Sequence, residues 1–165
     1  MCNRPFWLPE IINMDGNWEK KIIELFEIFC RDFEIGKPYY EGLEVWWDKR
    51  KIDGNYPEGF WHITTKGKPF NRIPDFRRSE RLPWCGPSIN NSGDPIILKW
   101  DYQENKKIRT YVWLENFDYV IILEKKHIGN RVIAFLVTAF HVDGSRTKSQ
   151  LKDKYRNRIL MHSSP

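Results

Sequence analysis

The chain has 165 residues, of which 41% are hydrophobic and 15% aromatic, with a formal net charge of +5; this suits one globular domain with a real core and excludes a disordered or fibrous chain. No apolar run approaches the roughly 20 residues that a membrane-spanning helix needs, and Pro5, Trp7 and Pro9 stand where a basic and then apolar leader would be, so the expectation is an unprocessed, soluble, cytoplasmic protein with no membrane partner. Residues 1–60 carry 8 Lys and Arg against 12 Asp and Glu, and residues 61–165 carry 19 against 10, so the basic surface belongs to the second part, as in a polyanion binder.

In chain order, Asn17 to Phe33 places Trp18, Ile22, Leu25, Phe26, Phe29, Cys30 and Phe33 at three- and four-residue steps. This predicts an amphipathic helix capped by Asp15 or Asn17. "GLEVWWDKRK" and "GFWHITTKG" are rich in aromatic and β-branched residues and read as strands on either side of the turn-rich "IDGNYPEG". Pro74 suits a helix start and Pro83 a stop, so a short helix is expected from about Asp75 to Arg81, followed by a loop over "CGPSINNSGDP".

The second half is β-rich. "IILKWDY", "IRTYVWLE", "FDYVIILEKK" and "RVIAFLVTAFHV" read as four successive strands, the last two joined at "HIGN", and hence as an antiparallel sheet. The tail from Ser145 sets Leu151, Tyr155 and Ile159 at four-residue steps in a strongly basic background and predicts a C-terminal helix. The fold class is α+β, in one domain: an N-terminal helical region over residues 1–55 and a core over 56–160.

Three cysteines (Cys2, Cys30, Cys85) and four histidines (His62, His127, His141, His162) are scattered. Their spacing supports neither a disulfide framework nor a metal site, and no cofactor is expected.

Four arginines, Arg72, Arg77, Arg78 and Arg81, lie within "RIPDFRRSERLPW". On a helix, Arg81 shares a side with both Arg77 and Arg78, and two guanidinium forks could hold one phosphate, for which arginine suits better than lysine. Glu80 could orient an arginine or act as a base. The same charges could equally form a surface ion-pair network beside a buried Trp84.

His62, in "FWHITTKGKP" with Lys66 and Lys68 just beyond it, could exchange a proton near neutral pH. Thr138 lies amid apolar residues of the last strand, with His141 on the opposite face by alternation. Lys148, Lys152, Tyr155 and Arg156 of the last helix either form a solvated face or track an RNA backbone.

"WHITTKG", "DFRRSERLPW", "YVWLENFDYVIILEKK" and "AFLVTAFHVDGSRTKSQLKDKY", in that order, resemble the phage-borne branch of the barnase, EndoU, colicin E5/D and RelE-like (BECR) nucleases over roughly Phe60 to Tyr155. The turn "DGSRTK" departs from that pattern and weakens any role for Lys148. The resemblance implies one or two N-terminal helices on an antiparallel sheet of about four strands, and a metal-independent ribonuclease of phage, mobile-element or toxin type, with room for a neutralising protein partner. It assigns the acid/base role to His62, the phosphate to Arg78 and Arg81 with Arg77 in reserve, and a supporting hydroxyl to Thr138. Arg72, Arg77, Glu80, Lys66, Lys148 and Tyr155 would bind substrate.

The expected reaction is cleavage of RNA by attack of the 2′-hydroxyl on the adjacent phosphate, leaving a 2′,3′-cyclic phosphate. The rival expectation is a non-catalytic RNA- or DNA-binding protein whose tryptophans stack on bases.

Overall fold

The computed structural model describes residues 3–160; Cys2 and His162 lie outside them. Helix α1 (Trp18–Phe29) is capped by Asn17, whose side chain accepts the Glu19 N–H at 2.7 Å, and it runs on as a π-helical turn, Cys30–Ile35. Its apolar stripe of Ile22, Leu25 and Phe29 is buried, as the periodicity requires. Two short strands follow, β1 (Tyr39–Tyr40) and β2 (Leu43–Trp46).

The segment read as a second strand is instead helix α2 (Glu58–His62), followed by β3 (Thr65–Lys68). Pro57 precedes the helix in an extended conformation, and the Thr64 and Thr65 hydroxyls donate back to the Phe60 and Trp61 carbonyls at 2.9 and 2.7 Å. Those side chains satisfy the last carbonyls of a helix that propensity alone would not form. Gly59 is required there, because a Cβ would meet Trp47 Cβ at 2.8 Å.

β4 (Asn71–Pro74) pairs with β3 as a separate antiparallel ribbon. Helix α3 (Phe76–Glu80) then starts at Asp75, which accepts the Arg78 N–H at 3.0 Å. Pro83 does not end the helical region; it sits in the first turn of α4 (Leu82–Asn90), which occupies most of the segment expected as a loop. Burial overrides composition here: seven of its residues are buried, and Gly86 lets α4 approach the π-helical turn so closely that a Cβ would stand 3.1 Å from Asp32 Cβ.

β5 (Leu98–Glu104), β6 (Lys107–Leu114), β7 (Tyr119–Ile128) and β8 (Arg131–His141) form the expected antiparallel meander. The sheet has six strands rather than four, in the order β1-β2-β8-β7-β6-β5, because β2 adds to β8 in parallel. Helix α5 (Gly144–Arg156) closes the fold, and Ile159, expected on its stripe, lies beyond it and donates its N–H to the Asp101 carbonyl at 2.8 Å.

The sheet is covered on both faces, which explains why β6 and β7 read as nearly continuous apolar runs. Val112, Leu114, Tyr119, Ile121 and Leu123 enter the main core with α1 and α4. Tyr111, Trp113 and Val120 join Trp100 and Leu151 of α5 in a second cluster. Among the described residues no helix is long and apolar enough to cross a membrane.

Candidate functional site

β2 pairs with β8 only at Ala134 and Phe135, so residues 136–141 of β8 have no strand neighbour on that side among the described residues. Helices α2 and α3 lie along this free stretch. A bulge accompanies it: Thr138 pairs with Ile122 while Leu136 pairs with Leu123, which leaves Val137 as the extra residue. Leu136 and Ala139 therefore both enter the main core, and Thr138 turns out of it, as bulges beside functional sites often re-aim a side chain.

Thr138 Oγ1 donates to the His62 carbonyl at 2.9 Å, and Arg78 Nη1 donates to that carbonyl at 2.7 Å and to Thr138 Oγ1 at 3.3 Å. Arg78 Nε stands 3.3 Å from Asp75 Oδ2. Three of the expected catalytic residues thus meet, with the His62 backbone rather than its imidazole at the junction. Burial lowers the Arg78 pKa, opposed by Asp75, yet an arginine remains charged there.

The His62 imidazole is half-buried. Burial pushes its pKa below the ordinary value, helped by Arg72 and Arg78 and opposed by Glu58 and Asp48.

Arg78 also forms one wall of an open cleft of about 210 Å³ between β3, α3, the end of β8 and the start of α5. Lys66, Arg77, His141 and Thr147 line it together with Asp75 and Asp143. Asp75 is already engaged as the α3 cap and by Arg78, and Lys66 stands 3.7 Å from it. Lys66 and Arg77 are consequently the freer cations; the Arg77 side chain is 70% exposed and 3.7 Å from Glu80.

His141 has a buried Nδ1 with no hydrogen-bond partner among the described residues. Its pKa is lowered by burial and then by Arg81 and Arg77, against Asp118 and Asp143. An imidazole so placed is neutral near pH 7 and able to accept a proton. Sequence reading put His141 opposite Thr138 but gave it no role, because nothing local says which strand end opens into a cleft.

The other expected site residues are engaged elsewhere. Arg81 does not join Arg78 in a clamp: it donates to the Arg77 carbonyl at 3.0 Å, pairs with Glu80, and lies 5.3 Å from the Trp84 ring centre. Arg72 is held between Glu58 at 2.5 Å and Asp53 at 3.2 Å. Lys148 pairs with Asp118 at 2.8 Å, and Tyr155 packs edge-on against Trp100 on the α5 face.

A separate cleft of about 230 Å³ between the π-helical turn and β2 is lined by Tyr39, Trp46 and Trp47 and by no histidine or arginine. Among the described residues no group of three or more His, Cys, Asp or Glu side chains could hold a metal ion. Compared with protein-family models, with curated proteins and with solved structures, the chain matches none.

Proposed function

We propose that this protein is an endoribonuclease of the BECR type, cutting RNA by 2′-hydroxyl transesterification. The observation that carries the reading is the wall of the cleft: Arg78, locked by the His62 carbonyl, Thr138 and Asp75, beside the freer cations Lys66 and Arg77 and the half-buried His141. A helical layer followed by the β5–β8 meander is consistent with it.

In this reading Lys66 and Arg77 bind the phosphate, and Arg78 presents its remaining N–H groups in a fixed orientation to the charge that grows on the pentacoordinate phosphorus. His141 takes the proton of the 2′-hydroxyl as O2′ bonds to phosphorus, the P–O5′ bond breaks, and the 5′-oxygen leaves with a proton from water, whose hydroxide then takes the proton back from His141. The nucleophile is part of the substrate and is already held next to the phosphorus, which is where much of the rate comes from. Thr138 and the His62 backbone position Arg78.

Purified protein should cut RNA in the presence of EDTA and leave 2′,3′-cyclic phosphate and 5′-hydroxyl ends; 3′-hydroxyl ends would sink the mechanism. His141→Ala should slow cleavage by roughly 10² to 10⁴, the usual contribution of a proton-transfer group. His62→Ala keeps the carbonyl that holds Arg78 and should cost far less. The opposite ranking would return the acid/base role to His62. RNA binding that weakens with salt, without any cleavage, would instead favour a non-catalytic nucleic-acid-binding protein.

A further inference from the structure

The π-helical turn Cys30–Ile35 is a rare kind of element that recurs beside functional sites. Gly36 closes it: the Gly36 N–H donates to the Arg31 carbonyl at 3.0 Å, and a Cβ there would stand 2.7 Å from the Asp32 carbonyl oxygen. The next residue, Lys37, has φ +43°, a left-handed conformation uncommon outside glycine. Flanking bonds hold the chain in place, from the Tyr39 N–H to Asn90 Oδ1 at 3.0 Å and from the Val45 N–H to the Pro38 carbonyl at 3.2 Å. Backbone strain held in this way clusters at ligand sites.

This turn forms one wall of the cleft of about 230 Å³ noted above, and β2 with the residues just after it forms the other. Lys37 comes from the first wall and Lys49 from the second, and neither is in an ion pair among the described residues. Lys49 Nζ lies 4.9 Å from the Trp47 ring centre. Two carboxylates share the cleft. Glu44 already accepts the Trp46 indole N–H at 3.1 Å and stands 3.3 Å from Arg131, which leaves Glu34 against two lysines. The local balance favours an anion.

The rings of the cleft are fixed as well. Glu44 holds the Trp46 indole, and the Arg131 guanidinium lies 5.3 Å from the centre of its ring. Tyr39, on the neighbouring strand, is 48% exposed. Trp47 is only 8% exposed, and its Nε1 is buried with no hydrogen-bond partner among the described residues; a buried indole N–H ordinarily has an acceptor. The volume is below the roughly 300–1,000 Å³ of drug-sized sites, so the fitting occupant is one ring system with a short polar group.

We infer that this cleft binds a small planar anion, an aromatic ring bearing a carboxylate or a phosphate: the ring stacks on Tyr39 and Trp46, Lys37 and Lys49 hold the anionic group, and Trp47 Nε1 donates to a ligand oxygen. The site is separate from the cleft at His141 and does not depend on the nuclease reading.

The test is isothermal titration calorimetry with two pairs of probes, indole-3-acetate against indole-3-acetamide and adenosine monophosphate against adenosine. At least one anion should bind more tightly than its neutral partner by about tenfold or more, because hydrogen bonds to charged groups are the stronger ones. The pair that shows the difference identifies the anionic group as carboxylate or phosphate. Lys37→Gln and Lys49→Gln should each weaken that anion up to about fivefold, the scale of one exposed charge pair, and the double variant should bind anion and neutral partner alike. Trp46→Ala should cost roughly fivefold, as for loss of one aromatic contact, while Trp46→Phe should retain most of the binding. His141→Ala should bind as wild type does.

The lysines are exposed, so their variants should melt at the wild-type temperature. Equal affinity for an anion and its neutral partner in both pairs, no saturable binding of either anion at millimolar concentration, or wild-type affinity in the double lysine variant would each overturn the site. Loss of the anion in His141→Ala, or its displacement by a 2′-O-methylated oligonucleotide, would overturn its separateness from the RNA cleft. RNA cleavage without binding of either anion would end this inference and leave the nuclease reading intact, and anion binding without cleavage would do the reverse.

Discussion

His141 and His62 share a direction of shift for the same first reason, burial of the charged imidazolium. Each folded pKa is below the unfolded value of about 6.5, so the unfolded chain binds these protons more readily. The associated stability is complete above that value and is lost as pH falls through the depressed folded pKa. For the proposed cleavage the same shift predicts an acid limb of kcat/KM with its midpoint below about pH 6.5, where protonation of His141 would remove the base. An acid limb with its midpoint above 6.5, or one unchanged in the residual activity of His141→Ala, would show that another group titrates. Thr138 shows how little of a residue's role is local: one bulged residue, Val137, decides whether its hydroxyl lies in the core or against Arg78.

The β3–β4 ribbon depends on the buried pair of Arg72 with Glu58, their side chains 6% and 4% exposed. Arg72→Ala would leave the Glu58 carboxylate buried and unpaired, and should destabilise the protein by about 3–5 kcal/mol in urea unfolding. A change within experimental error would mean that the ribbon is not anchored through this pair. Arg72 was expected on the substrate; a basic run alone does not tell an arginine that faces an anion from one that faces a buried acid.

Elements were legible where period and length agreed. The stripe of α1, the meander and α5 as far as Tyr155 appear where their apolar spacing puts them, with Ile159 beyond the helix. The failures were α2 and α4: aromatic and β-branched residues signalled strand in the first, and Gly86 and Pro87 signalled loop in the second. Both helices are short, so their existence is decided by what they pack against and by hydrogen bonds from residues outside them.

Across the whole molecule, the basic excess of residues 61–165 reaches the cleft through Lys66, Arg77 and Arg78, while much of the remainder is consumed in pairs such as Lys125 with Asp101 and Lys154 with Glu104. Net charge therefore overstates the cationic charge left outside ion pairs. If RNA binds in the cleft through Lys66, Arg77 and Arg78, the logarithm of its binding constant should fall against the logarithm of salt concentration with a slope of about −2. Lys66→Ala and Arg77→Ala should each reduce its magnitude by about 0.7. A slope of about −3.5 would instead match the five Lys and Arg residues of α5.

Apolar periodicity by itself determined the amphipathic helices, the antiparallel meander and the α+β class, because each depends on neighbours three, four or two residues apart in the chain. Charge counting likewise located the basic half. Tertiary structure decided the parallel addition of β2, the bulge at Val137, the split of Arg78 from Arg81 and the entry of His141 into the cleft. Each of these depends on which distant segment lies alongside β8, and no local spacing encodes that choice.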